Sequence, residues 1–167
     1  MATADESVVR RFFEEMCNGR KNELASEIFA ADHTFHDPQV PAAQGPQGMV
    51  GAVSAYQTGV NGHWEIQELF SAGDRVVARW VGSGTHVGDM NGIPPTGRSV
   101  RVEAISIHRM RDGKIAETWE VWDTLGFLQQ LGVVPAPGVA AMDRLPRTAS
   151  RRSSLPVASR DRRRPRR

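Results

Sequence analysis

The sequence predicts an α+β fold in which a curved antiparallel sheet wraps around N-terminal helices and leaves an apolar pocket at its open end. Two observations predict it. Apolar residues recur at helical spacing between Ser7 and Gln57, and from His63 onward the period becomes two. Arg111-Asp112-Gly113-Lys114 then separates two alternating runs, which is a hairpin signature.

The first helix spans Ser7 to Cys17, with Val8, Val9, Phe12, Phe13 and Met16 on one side and Asn18-Gly19 closing it. A shorter helix from Asn22 to Phe29 carries Leu24, Ile28 and Phe29. His33 to Asp37 is extended and is stopped by Pro38. Gln39 to Gly48 reads as loop. Pro46 suits the start of a helix over Gln47 to Gln57, whose stripe is Met49, Val50, Val53 and Tyr56. Strands follow: one beginning at Trp64, a turn at Gly73-Asp74, then Arg75 to Thr85. A Gly/Pro-rich connection runs from His86 to Arg98. Ser99 to Met110 and Ile115 to Trp122 complete the sheet, and Leu125 to Leu131 forms a terminal helix.

A chain of 167 residues, 40% hydrophobic, is one domain with material for a single core. The domain is read as residues 1–134, and residues 135–167 as a basic Pro/Ser/Arg-rich tail too polar to order itself. Between Asp143 and Arg167 lie ten Arg and two Asp, a net of +8, so the remainder carries −6. The basic balance therefore belongs to the tail, and nucleic-acid or anionic-membrane binding by it is disfavoured against a solvated extension. Arg151-Arg152-Ser153-Ser154 offers a phosphorylation site. No run approaches the ~20 apolar residues of a membrane span. The acids of Met1 to Glu6 do not suit a secretory signal. Cys17 is the single cysteine, which excludes an intrachain disulfide and fits a reducing cytoplasm.

The last strand concentrates the chemistry. Glu117, Trp119, Val121 and Asp123 share one face, and Thr118, Glu120 and Trp122 the other. Asp123 precedes a helix start and reads as its N-cap in preference to a catalytic acid. Glu120 has no comparable local duty, so a solvated edge charge and a pocket acid stay equally open. His36-Asp37-Pro38 ends a short strand, where either residue can orient a substrate or bond loop amides. Ser106 and His108 share a strand face, but no Gly-x-Ser-x-Gly elbow surrounds the serine. His33, His63 and His86 are read as surface or loop residues, and no His/Asp/Glu spacing marks a metal site. Gly82-Ser83-Gly84, inside a strand, indicates a bulge or close packing and not a phosphate loop.

Gly84-Thr85-His86-Val87-Gly88, Gly92-Ile93-Pro94-Pro95-Thr96-Gly97, the turn from Arg109 to Ile115, and Gln129-Gln130-Leu131-Gly132 resemble the SnoaL-like polyketide cyclase (ester cyclase) family of the nuclear transport factor 2-like superfamily. The resemblance covers Val8 to Val134. It implies a cone-like α+β domain enclosing the pocket and associating into a homo-oligomer through its outer sheet face. It also implies intramolecular aldol ring closure of a polyketide ester without metal or organic cofactor. The family's strand-borne Asp falls at Glu120, its His at Ser106, and an Asn at His36 or Asp37. With the strand faces, which let His108 reach the cavity, Glu120 and His108 are the expected catalytic pair, with His36, Asp37, Ser106 and Trp122 binding a small hydrophobic carbonyl or ester substrate. Apolar neighbours such as Trp122 would lift Glu120 towards neutrality. The competing reading is a non-catalytic ligand-binding or assembly module on the same scaffold.

Overall fold

A computed structural model of the chain describes residues 2–39, 43–90 and 92–136. Met1–Ala136 forms one compact unit, and the tail expected from residue 135 lies, from 137 onward, outside the described residues.

Helix α1 (Ala4–Arg11) begins three residues before the expected Ser7 because of a capping box. Thr3 Oγ1 accepts from the Glu6 N–H, and Glu6 Oε2 accepts from the Thr3 N–H, each at 3.1 Å. The helix widens into a π-helical segment over Phe12–Asn18. Its wider turns bring the adjacent Phe12 and Phe13, with Met16 and Cys17, all into the core. A 3₁₀ turn (Asn22–Leu24) and the short α2 (Ala25–Ile28) follow.

Strand β1 (Phe29–His36) starts four residues earlier than His33. Its partner decides this: β1 pairs in parallel with β5 (Lys114–Trp122), from Phe29 opposite Ile115 to His36 opposite Trp119. Helix α3 (Gly45–Gly59) carries Pro46 in its first turn. Strands β2 (His63–Ala72), β3 (Arg75–Thr85) and β4 (Ser99–Arg111) lead into β5, giving the sheet order β1-β5-β4-β3-β2. The sheet is thus a curved mixed sheet: antiparallel through the four later strands, with β1 added in parallel at one edge. Helix α4 (Thr124–Leu131) ends at Gly132 in the left-handed conformation.

Two sequence signals have clear structural causes. Asp112 and Gly113 have φ of 53° and 72°, the positive pair that a tight β4–β5 hairpin needs. Gly84 is a close approach and not a phosphate loop: a Cβ there would lie 2.1 Å from the Val60 carbonyl oxygen.

One sheet face is buried against the helices. Val76, Ala78 and Trp80 on β3, Ala104, Ser106 and His108 on β4, and Thr118 on β5 all lie on it. Phe12, Phe13, Met16, Phe29, Met49 and Val53 pack against it from the helical side and from β1. Ile105, Ile107 and Val121 lie on the other face and are exposed.

Candidate active site

The register of β4 against β5 sets the site. Ser106 pairs with Glu120 and His108 with Thr118, so Thr118, Glu120 and Trp122 all turn towards the concave side. There they meet the end of β1, the π segment and α3 around a cavity of about 770 Å³, counted with its open mouth. Its walls are aromatic: Phe12, Phe13, Phe35, Trp64, Trp80, Trp122 and Phe127. Into this lining come the polar side chains of Asp37, Tyr56 and Glu120, with Cys17, His63 and Ser83 elsewhere on the wall.

Glu120 is the unusual group. It makes no hydrogen bond or ion pair to any described residue, and burial pushes its carboxyl up to about 8, with the Asp37 charge adding to the rise. The Glu120 charge in turn acts on the Cys17 thiol and the Tyr56 phenol, both raised chiefly by burial. All of these neighbours line the cavity, so the carboxyl faces inward. Asp37 is buried and is held on both oxygens: Oδ1 accepts the Gln39 N–H at 2.8 Å and Oδ2 the Trp122 indole N–H at 3.3 Å. Trp122 therefore both walls the cavity and fixes the second carboxyl.

Asp123 is exposed and caps α4, its Oδ1 accepting the Gly126 N–H at 2.8 Å. Of the two acids at the end of β5, Glu120 is the one that faces the cavity.

Several expected site residues stand elsewhere. His36 turns outward, with Nε2 2.9 Å from Glu117 Oε1 and its ring stacked on Trp119 at 5.3 Å. Neighbouring strand residues point oppositely, so Asp37 reaches the cavity and His36 does not. Ser106 and His108 face the concave side but lie behind the lining, covered by Trp80, Phe12 and Phe13.

Ser106 and His108 belong instead to a buried polar chain. The Trp80 indole N–H donates to Ser106 Oγ (3.3 Å), Ser106 Oγ meets His108 Nε2 (3.0 Å), His108 Nδ1 meets Thr118 Oγ1 (3.1 Å), and Thr118 Oγ1 meets His33 Nε2 (3.0 Å). The indole can only donate, so the arrangement that satisfies most members sends each proton towards His33. Burial lowers His108 to about 3 and His33 to about 4, so both rings are neutral at ordinary pH. His33 is 1% exposed on β1, which corrects its reading as a surface or loop residue. His86 does lie in the β3–β4 connection but is fully buried, its Nδ1 accepting the Thr96 N–H at 3.2 Å. His63 is exposed.

Tyr56 is the site residue that the pattern obscured. It shares a stripe with Met49, Val50 and Val53 and so reads as core; the available signal was one hydroxyl on an otherwise apolar helix face. Among the described residues no group of three or more His, Cys, Asp or Glu side chains is arranged to hold a metal ion.

The geometry has close relatives. A family profile described as SnoaL-like polyketide cyclase matches residues 7–131. Two proteins named aklanonic acid methyl ester cyclase, from Streptomyces peucetius and Streptomyces sp. (strain C5), are each 32% identical over 131 residues. Those alignments cover 75% of this chain and 88% and 80% of the two relatives. Among solved structures, TsrD from Streptomyces laurentii superposes with a TM-score of 0.70 at 28% identity, covering 80% of this chain and 99% of that one. With its mixed curved sheet, nuclear-transport-factor-type fold and matched profile, the chain belongs to the SnoaL-like polyketide cyclase family.

Proposed function

We propose that the protein is a cofactor-independent ring-closing enzyme, catalysing intramolecular aldol condensation of a hydrophobic polyketide ester by general acid/base catalysis at Glu120. The observation that carries this is a carboxyl without a partner among the described residues, raised to about 8, in an aromatic-walled cavity. The ionised Glu120 takes a proton from the carbon next to a substrate carbonyl. The resulting carbanion attacks a second carbonyl carbon of the same molecule, and that carbonyl's π pair moves onto its oxygen. Glu120, now protonated, returns the proton to the alkoxide and is regenerated. Asp37 stays bound to Trp122 and Gln39, and its charge adds to burial in keeping Glu120 basic. The aromatic walls press a flat, flexible substrate into a folded conformation, which brings the two reacting carbons together.

The lining also favours an ester over a free acid. It holds two carboxyl groups, Asp37 and Glu120, and no Lys or Arg among the described residues, so a substrate carboxylate would meet the Asp37 charge with no guanidinium or ammonium to pair with. The relatives named as methyl ester cyclases act on such an ester by name.

The test is turnover of an aromatic polyketide methyl ester by the purified protein and by Glu120→Gln. Loss of ring closure in the variant, with ligand binding retained, is expected. Equal turnover by both proteins would remove Glu120 as the acid/base, because the isosteric amide cannot exchange the proton, whereas a bound hydrophobic molecule with no turnover by either protein would favour a binding module.

We further infer that the outer sheet face joins copies of the chain into a homo-oligomer. Ile105 and Val121, paired across β4 and β5, are 51% and 75% exposed, and Ile107 extends the patch. Val121→Lys should shift the sedimentation of the protein to that of a monomer. A cytoplasmic setting accords with a lone, buried Cys17.

A further inference from the structure

We propose that the Tyr56 hydroxyl is the hydrogen-bond donor that stabilises the substrate's carbonyl oxygen as it becomes an oxyanion; this rests on the acid/base reading of Glu120 given above. Ring closure places negative charge on oxygen twice, once when the carbon acid loses its proton and once when the new alkoxide forms. A donor already aimed at that oxygen in a water-poor cavity stabilises both species more than either ground state. Glu120 cannot fill this role throughout, because during proton abstraction it is the acceptor at carbon.

Tyr56 has the placement for it. It lies in the last turn of α3 and lines the cavity together with Asp37 and Glu120. Its backbone carbonyl accepts from the N–H groups of both Val60 (3.2 Å) and Gly62 (3.1 Å), which anchors the residue where the helix ends. Its ring meets Trp122 edge-on, with centroids 6.0 Å apart and planes at 89°. The same indole is tied to Asp37, so one side chain orients both the phenol and the second carboxyl.

The phenol is uncommitted. It makes no hydrogen bond to the described residues, and it lines the cavity within reach of the charges of Asp37 and Glu120. Two indole donors of the wall are already engaged, Trp80 with Ser106 and Trp122 with Asp37. Burial, then the charges of Asp37 and Glu120, push the phenol above its ordinary range. It therefore remains a neutral donor through the pH range in which Glu120 ionises.

The experiment uses the full chain, with wild type, Tyr56→Phe and Glu120→Gln compared on an aromatic polyketide methyl ester. The phenylalanine keeps the ring and its packing against Trp122, and thermal melts of both variants establish that they fold. We expect Tyr56→Phe to lower kcat about 10²-fold with KM little changed. A second arm measures binding of naphthol, a flat aromatic oxyanion mimic, by indole fluorescence in the Glu120→Gln background, where the Glu120 charge is removed; adding Tyr56→Phe should weaken it about 10-fold. A third arm uses the fact that Tyr56 is the only tyrosine in the chain. Its tyrosinate absorbance titrates this group alone, and Asp37→Asn should shift that titration downward.

If Glu120→Gln is inactive while Tyr56→Phe keeps full kcat and naphthol affinity, the Tyr56 assignment is overturned and the acid/base reading stands. If Glu120→Gln turns over normally, the acid/base reading falls, and naphthol affinity alone then decides whether Tyr56 is an oxyanion donor. A tyrosinate titration in the ordinary range, unmoved by Asp37→Asn, removes Tyr56 from the carboxyl pair and overturns the proposal.

Discussion

The Trp122 indole N–H donates to Asp37 Oδ2 at 3.3 Å, tying the end of the last strand to the residue that follows β1. The bond seats one carboxylate beside Glu120, whose own carboxyl has no partner among the described residues. Two acids in one cavity are thereby made unequal, one held by N–H donors and the other raised by burial.

This inequality sets a pH–rate profile. Activity should rise with pH as Glu120 ionises, with an inflection near the folded value of about 8. Asp37→Asn removes the like charge that helps raise Glu120, so the inflection should move down. An unmoved inflection in kcat/KM against pH would show that Asp37 does not face Glu120.

The same group links stability to alkali. Glu120 titrates at 4.5 when unperturbed and at about 8 in the fold, so the folded state holds the extra proton between these values. Its contribution is fully present below 4.5 and is lost as pH rises through about 8. Glu120→Gln should therefore melt at a higher temperature than wild type above that range, with the two curves converging in acid.

The two buried imidazoles act in the opposite direction. His33 and His108 fall from 6.5 to about 4 and about 3, so the unfolded chain takes up their protons first. Their contribution is fully present above 6.5 and is lost as pH falls towards those lower values. His108→Gln should flatten the acid limb of a melting-temperature profile, although the variant is less stable at neutral pH.

Thr118 connects the two rings, accepting from one and donating to the other. Thr118→Val keeps the shape and leaves a nitrogen of each ring without its partner, at roughly 1–3 kcal/mol for each group. Denaturant unfolding should show a loss of about 2–6 kcal/mol. A loss below ~0.5 kcal/mol would mean that the chain is not closed through this hydroxyl.

Asp123→Ala should cost about 1 kcal/mol, as expected for an N-cap, and leave ring closure intact. Loss of turnover without loss of stability would return Asp123 to the catalytic candidates.

The helices, the four later strands, the Asp112-Gly113 hairpin and the Asp123 cap were legible because each is written in neighbouring residues: a period, a turn pair or a side chain three positions from its amide. β1 was legible only in part, since its first residues extend because Ile115 lies beside Phe29, a partner far along the chain. Glu120 was separable from Asp123 by strand alternation. Ser106 and His108 were placed on the concave face by the same rule, which says nothing about whether Trp80, Phe12 and Phe13 will cover them.

By itself the sequence determined the α+β layering, the family to which its Gly-, Pro- and Gln-containing motifs belong, and the face on which each strand residue sits. These follow from local geometry, where two or four residues settle a direction. Only the tertiary structure decided that Asp37 and not His36 meets Glu120, that Tyr56 faces the cavity, and that His33 closes a buried polar chain. Those relationships depend on distance and dielectric between residues far apart in sequence, and a carboxyl becomes basic only when packing has removed the water around it.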